Sequence, residues 1–153
     1  MAEFGYNDTQ IVQPGTGALL NTIRPCMRRP QLVMHEDESP LIYLRGVGNN
    51  PCAKAEYEVE WSCNIAVPTG GTVGEIQAAL ALNGQVIPLT IAAATPAAVE
   101  NFWHVGGVKT IRVDLGCCPS VSVINASVSD TPATVPAPPI AMRNLNVTVV
   151  RTA

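Results

Sequence analysis

Apolar and polar residues alternate with a period of two in the most regular segment of this chain. Between residues 54 and 63 every second side chain is apolar, and those between them are mostly acidic. The apolar positions are Ala55, Tyr57, Val59, Trp61 and Cys63. Side chains of a β-strand point alternately to opposite faces, so this segment predicts a strand with one buried face and one hydrated face. We expect Tyr57, Val59 and Trp61 to lie in the core or in a seam between subunits.

Shorter β-type runs flank this segment and are separated by turn residues. They lie at residues 32–34, 41–47, 73–82, 108–115, 121–125 and 145–149. Asn83-Gly84 predicts a type I′ hairpin, because both central residues of that turn take positive φ. Residues 76–82 also suit a helix by propensity, but the adjoining turn residues favour a strand. Roughly eight short strands with a turn about every 8 to 12 residues are typical of a sandwich or barrel.

Two segments lack the alternation. Residues 1–20 contain turn residues such as Asn7-Asp8 and Pro14-Gly15 with few apolar side chains, and we expect them to form an extended N-terminal arm. Residues 129–139 hold four prolines, which exclude a central strand and predict an exposed loop. The predicted organisation is an arm at 1–20 and a single domain at 21–153.

The composition indicates association with other subunits. Charged residues make up 14% of the 153 residues, against roughly 25% in typical soluble domains, and mean hydropathy is +0.21. A small domain with so few charges exposes apolar surface unless another subunit covers it, although a low-charge monomer is an alternative. The chain contains no apolar run of membrane-spanning length and no signal segment, so we expect no membrane contact and synthesis in a cytoplasm.

The residue types that carry catalysis do not occur in catalytic spacings. His35 and His104 lie outside any metal-ligand motif, and neither a phosphate-binding glycine loop nor a nucleophile elbow occurs. The carboxylates Glu56, Glu58 and Glu60 follow one strand instead of facing each other across a cleft, which favours a hydrated or salt-bridged face. We therefore predict no enzymatic activity, no cofactor and no metal. A cupin-like metalloprotein is the enzymatic alternative.

The cysteines and a group of arginines are the remaining candidates for a specific role. The five cysteines are Cys26, Cys52, Cys63, Cys117 and Cys118, and none has the C-x-x-C spacing of zinc sites. They are either buried reduced thiols, or Cys26 or Cys52 forms a disulfide with the Cys117-Cys118 pair after release. Arg24, Arg28 and Arg29 lack interleaved aromatics, which favours a hydrated or interface surface over nucleic-acid binding.

Several of these segments resemble a known family. Pro68-Thr69-Gly70-Gly71, the Asn83-Gly84 turn, and the strands at 121–127 and 145–151 resemble trimeric TNF- and C1q-like jelly-roll domains. Those domains include the C-terminal heads of exosporium collagen-like proteins. Four further motifs are similar to small proteins of Firmicute phages and prophages. These motifs are Arg24-Pro25-Cys26, Leu44-Arg45-Gly46, residues 94–99 and Gly116-Cys117-Cys118.

The resemblance implies an all-β, antiparallel jelly-roll sandwich that forms a homotrimer. It further implies a virion structural protein, namely a capsid decoration (cement) protein on the outer surface of a tailed-phage head. The major capsid protein would then be its partner, with Arg24, Arg28 and Arg29 as contacts. The alternative is a carbohydrate- or receptor-binding trimeric head of a phage fibre or an exosporium-like tip.

Overall fold

The computed structural model describes residues 1–25, 32–48, 52, 54–129 and 136–153. These residues form twelve β-strands and one 3₁₀ turn at Pro88–Thr90. The strands are β1 (Ala2–Tyr6), β2 (Gln10–Val12), β3 (Asn21–Arg24), β4 (Val33–His35), β5 (Ile42–Leu44), β6 (Ala55–Ala66), β7 (Ile76–Leu82), β8 (Gln85–Val86), β9 (Ala92–Ala94), β10 (Trp103–Val113), β11 (Ser120–Asn125) and β12 (Ile140–Arg151). In this part of the chain no helix is long and apolar enough to cross a membrane.

The strands form two antiparallel sheets around one core. The first sheet has the order β10-β6-β12-β1-β3, and β2 also pairs with β12. The second sheet has the order β4-β5-β11-β7-β8, and β9 also pairs with β7. From β5 onward, most connections cross from one sheet to the other, as in a jelly roll. The predicted all-β jelly-roll sandwich is confirmed.

Strand β6 crosses the middle of the first sheet and supplies much of the core. Its side chains are buried at alternate positions, as the sequence pattern predicts, and Tyr57, Val59 and Trp61 are at most 1% exposed. The Tyr57 hydroxyl donates to the carbonyl oxygen of Arg45 (2.6 Å), and the carbonyl oxygen of Leu32 lies 3.2 Å from the same hydroxyl oxygen. Burial of this kind stabilises a fold by about 1.5 to 3 kcal/mol for each large apolar side chain. Because the three side chains are covered within one chain, they lie in its core.

The N-terminal residues belong to the sandwich, which corrects the expectation of an arm at 1–20. Strand β1 lies between β12 and β3, where Ala2 and Phe4 are buried. Strand β2 pairs with the start of β12, and Leu20 beyond it is fully buried. Short apolar stretches of two or three residues are enough to bury a strand edge when a long neighbour such as β12 supplies the hydrogen-bond partners.

The hairpin forms where the sequence predicts it, and the proline-rich loop is described only in part. Asn83 (φ 50°) and Gly84 (φ 80°) form the predicted turn between β7 and β8, and residues 76–82 form a strand and not a helix. Residues 130–135 of the proline-rich loop lie outside the described residues. The segment that follows is held by the buried Asn125, whose Nδ2 donates to the carbonyl oxygens of Val12 (2.9 Å) and Pro138 (2.8 Å).

Two of the motifs that carry the family resemblance meet in space. The Gly46 N–H donates to the Cys117 carbonyl oxygen (2.8 Å), and the Gly116 N–H donates to the Gly46 carbonyl oxygen (2.9 Å). A Cβ at Gly46 would overlap the carbonyl oxygen of Asp114, and Gly116 has a φ of 82°. The Leu44-Arg45-Gly46 and Gly116-Cys117-Cys118 motifs therefore have a structural reason: glycine is required where the two segments touch.

We predict that Gly46→Ala destabilises the protein by about 3 kcal/mol, because the backbone must move away from Asp114. The measurement is the free energy of unfolding in urea. Gly74→Ala is the matched control, since a Cβ there meets nothing within 4 Å. It should change stability by less than about 0.5 kcal/mol. Equal effects of the two substitutions would contradict the packing argument.

Candidate functional site

Of the three arginines predicted to contact a capsid, only Arg24 is among the described residues. Arg24 is exposed at the end of β3, an edge strand of the first sheet, where it pairs in register with Glu3 of β1. Arg28 and Arg29 lie outside the described residues. The predicted capsid contact through Arg24, Arg28 and Arg29 therefore stays a prediction, with Arg24 on an accessible edge.

Three of the predicted thiol-cluster residues lie at one end of the sandwich. Cys117 and Cys118 are exposed in the turn after β10, and Cys52 is exposed just before β6. The ion pair between Lys54 Nζ and Asp114 Oδ1 (3.1 Å) connects these two segments. Cys26 lies outside the described residues. In the part of the chain that the structure describes, no group of three or more His, Cys, Asp or Glu side chains is placed to hold a metal ion.

Cys63 differs from these cysteines because it is buried on the inner face of β6. Burial disfavours the thiolate and raises the pKa of the Cys63 thiol from 9.0 to about 12. The thiolate is the reactive form of cysteine, so this side chain is chemically inert in the folded protein.

We predict that a thiol reagent labels Cys117 and Cys118 in the native protein and leaves Cys63 unlabelled, because Cys63 is both buried and protonated. Mass spectrometry of the digested protein after brief labelling at about pH 8 measures this. Labelling in denaturant is the control and should modify Cys63 as well. Native labelling of Cys63 at the rate of Cys117 would contradict the prediction.

The same burial predicts a loss of stability in alkali. Above about pH 9 the unfolded chain releases the Cys63 proton and the folded chain does not, until about pH 12. The unfolded state therefore binds fewer protons, and the free energy of unfolding falls as pH rises through this window. We expect Cys63→Ala to show a shallower fall than the wild type in urea unfolding between these pH values. An equal fall in the free energy of unfolding with pH for the two proteins would contradict this prediction.

One edge of the sandwich is rich in exposed apolar side chains. We call this surface the apolar edge; its members are Leu89, Ile91 and Trp103, which are 41 to 85% exposed. Strand β10 is the edge strand of the first sheet. The 3₁₀ turn lies against its middle, because the Thr90 carbonyl oxygen is 3.5 Å from where a Cβ of Gly107 would be. Leu89 and Ile91 flank Thr90 and lie beside this strand, whereas Val108 pairs with Glu60 and belongs to the outer face of the sheet.

The outer face of the first sheet carries the predicted carboxylate row. Arg112 Nε donates to Glu56 Oε1 (2.6 Å), so one end of the row is neutralised on the same face. Glu58 and Glu60 are exposed and take part in no ion pair with another described residue. Their cross-strand neighbours are uncharged: Thr110 and Val150 beside Glu58, and Val108 and Thr148 beside Glu60. Within the described part of the chain, the row therefore presents two negative charges without an ion-pair partner, flanked by uncharged Thr and Val side chains.

A cleft of about 460 Å³ opens at the end of the sandwich. We call it the loop-end cleft; it is lined by residues 67–75, Val128 and residues 136–139. The Pro68-Thr69-Gly70-Gly71 motif forms part of its wall. The Thr69 hydroxyl donates to Glu100 Oε1 (2.7 Å), which holds the rim, and Glu75 adds a carboxylate to the lining. The cleft combines apolar walls with hydroxyl and carboxylate groups.

The sequence analysis missed a polar cluster on the outer face of the first sheet. Strand register places His104, Asn64 and Arg143 side by side on β10, β6 and β12. His104 Nδ1 donates to Asn64 Oδ1 (3.2 Å), and the Arg143 guanidinium stacks on Phe102 at 3.9 Å from the ring centroid. These residues are about 40 positions apart in the chain, and their spacing carries no motif. Only the pairing of the strands reveals the cluster.

Comparisons with known proteins leave the family open. No protein-family profile and no curated protein matches the chain. Among solved structures, the EclA C-terminal domain, described as a sugar-binding protein, is similar in shape at 12% sequence identity and a TM-score of 0.36. The likeness covers 75% of this chain and 81% of that chain. At this level it assigns no ligand, so the function of this chain rests on its own surfaces.

Proposed function

We propose that this protein is a non-catalytic structural protein that works as a homotrimer. The observation that carries this proposal is the apolar edge. An eleven-residue edge strand with unpaired backbone groups, bordered by exposed Leu89 and Ile91, is a surface that proteins normally cover. In a chain with only 14% charged residues, a second copy supplies that cover.

The occupant of the apolar edge is the outer face of the first sheet in the next copy, around Glu58, Glu60 and Val150. Charge complementarity supports this choice. Lys109 lies half-buried on edge strand β10 and takes part in no ion pair with another described residue, and Glu58 and Glu60 are likewise uncompensated. A contact between two different surfaces is heterologous, and such contacts close into rings when the rotation permits.

In its more specific form, the proposal is that the trimer decorates the outer surface of a tailed-phage head, with the major capsid protein as partner. The support is the resemblance in the sequence motifs and the exposed position of Arg24. A protein that binds only the assembled lattice stabilises it by mass action. It would be made in the host cytoplasm and carried on the virion.

We predict a solution mass near three times 16.1 kDa by light scattering. Leu89→Asp should lower the mass to that of one chain, because a carboxylate in an apolar contact loses its hydration. Val128→Asp is the matched control: Val128 is 69% exposed, close to the 85% of Leu89, but lies at the loop-end cleft. A monomeric wild type, or dissociation by both substitutions, would contradict the edge contact.

The capsid proposal is tested separately by adding purified protein to phage heads that lack decoration and counting bound copies by cryo-electron microscopy. Arg24→Glu should reduce occupancy if the arginine edge meets an acidic capsid surface. Unchanged occupancy would remove Arg24 from the contact, and no binding would refute the decoration role without affecting the trimer.

A carbohydrate- or receptor-binding head is the second candidate, and the loop-end cleft is the observation that favours it. Sugar sites combine apolar walls with a few convergent polar groups, and Glu75 with Thr72 supplies such groups here. Glycan-array binding that Glu75→Gln abolishes would support this function. Absence of binding to any glycan on the array would contradict it.

A further inference from the structure

The outer face of the first sheet carries a donor-rich site at the end opposite the Arg112–Glu56 ion pair. His104, Asn64 and Arg143 form one row across β10, β6 and β12. Ser62 of β6, two residues before Asn64, lies between Gly106 of β10 and Asn146 of β12. These three positions form a second row. Gly106 carries no side chain, and a Cβ there would lie 2.6 Å from the Trp61 carbonyl oxygen, so the two strands approach closely at this row.

A β-bulge builds this arrangement. Arg143 pairs with Asn64 and Asn146 pairs with Ser62, so β12 contains one residue more than β6 between the two pairs. Without the extra residue, Arg143 and Asn146 would point to opposite faces of the sheet. Asn144 in the bulge has a φ of 52°, a conformation that non-glycine residues rarely adopt. Bulges of this kind re-aim side chains beside functional sites.

The Arg143 side chain is held in place while its donors stay available. Its guanidinium carbon lies over the Phe102 ring, 3.9 Å from the centroid, in a cation–π contact that restrains the side chain. The N–H donors lie at the edges of the planar guanidinium group, where they match the two oxygens of a carboxylate or phosphate. Arg143 takes part in no ion pair with another described residue.

The neighbouring groups add donors. An amide oxygen only accepts hydrogen bonds, so the 3.2 Å contact places the proton on His104 Nδ1. This contact occupies Asn64 Oδ1 and leaves the Asn64 Nδ2 donors available. The next carboxylate along β6 is Glu60, about 13 Å away at the usual rise of a strand. Glu100, on the loop before β10, accepts a hydrogen bond from Thr69 at the rim of the loop-end cleft.

We propose that this row is a binding site for an oxyanion, the carboxylate of an acidic sugar or a phosphate group of a ligand. Arg143 binds the anion in a bidentate manner, and the Asn64 amide and the Ser62 hydroxyl contact the same oxygens. On β12 the site lies at the opposite end from Val150, around which the trimer contact on the outer face is proposed. It is also distinct from the loop-end cleft, which presents carboxylates.

The test is titration of the purified full-length protein with glucuronate, inorganic phosphate and sodium chloride at equal ionic strength. The chemical shifts of the His104 and Arg143 side chains are followed by NMR. Saturable shifts with glucuronate identify the carboxylate as the ligand group, and saturable shifts with phosphate identify the phosphate. Shifts no larger than those caused by chloride would overturn the proposal.

Two substitutions test whether oxyanion binding depends on Arg143 itself. Arg143→Gln should weaken oxyanion binding about 10- to 100-fold, the loss expected for a charge-assisted bidentate pair. Arg112→Gln is the matched control: it removes the same charge from the same face, but Arg112 is already paired with Glu56. Equal losses in both variants would show that binding depends on general charge, and would overturn the site.

Discussion

The structure depends on the pairing of β6 with a long strand on each side. β10 pairs with it from Trp103 to Val113, and β12 pairs with it along most of its length. This pairing satisfies the backbone of the sheet centre, and it directs Tyr57 and Trp61 toward the second sheet, where they are covered. Trp61 Nε1 is the only buried side-chain donor among the described residues without a partner, so the apolar fit outweighs one unmade hydrogen bond.

The same alternation that buries one face of β6 exposes the other, and that outer face is divided along its length. At the start of β6, Arg112 neutralises Glu56. Among the described residues, Glu58 and Glu60 in the middle and Arg143 near the end form no ion pair. Opposite charges therefore lie in separate zones on the outer face of one sheet. The acidic middle suits the Lys109 edge of a second copy, and the basic end suits an anionic ligand.

Three glycines have structural reasons that differ from one position to the next. Gly46 is needed because two loops touch, Gly84 because the hairpin takes positive φ, and Gly106 because a Cβ would lie 2.6 Å from the Trp61 carbonyl oxygen on the adjacent strand. Gly106 pairs with Ser62, next to the row of His104, Asn64 and Arg143.

The sequence by itself determined the strands, the Asn83-Gly84 hairpin and the core positions of β6, because alternation and turn chemistry act between near neighbours in the chain. It misplaced residues 1–20, since a short apolar strand becomes stable only when β12 offers it partners. The row of His104, Asn64 and Arg143, and the apolar edge that brings Leu89 and Ile91 beside β10, were decided by the tertiary structure alone. Strand register and the bulge at Asn144 bring these residues together, and both arise from pairing between segments that are distant in the sequence.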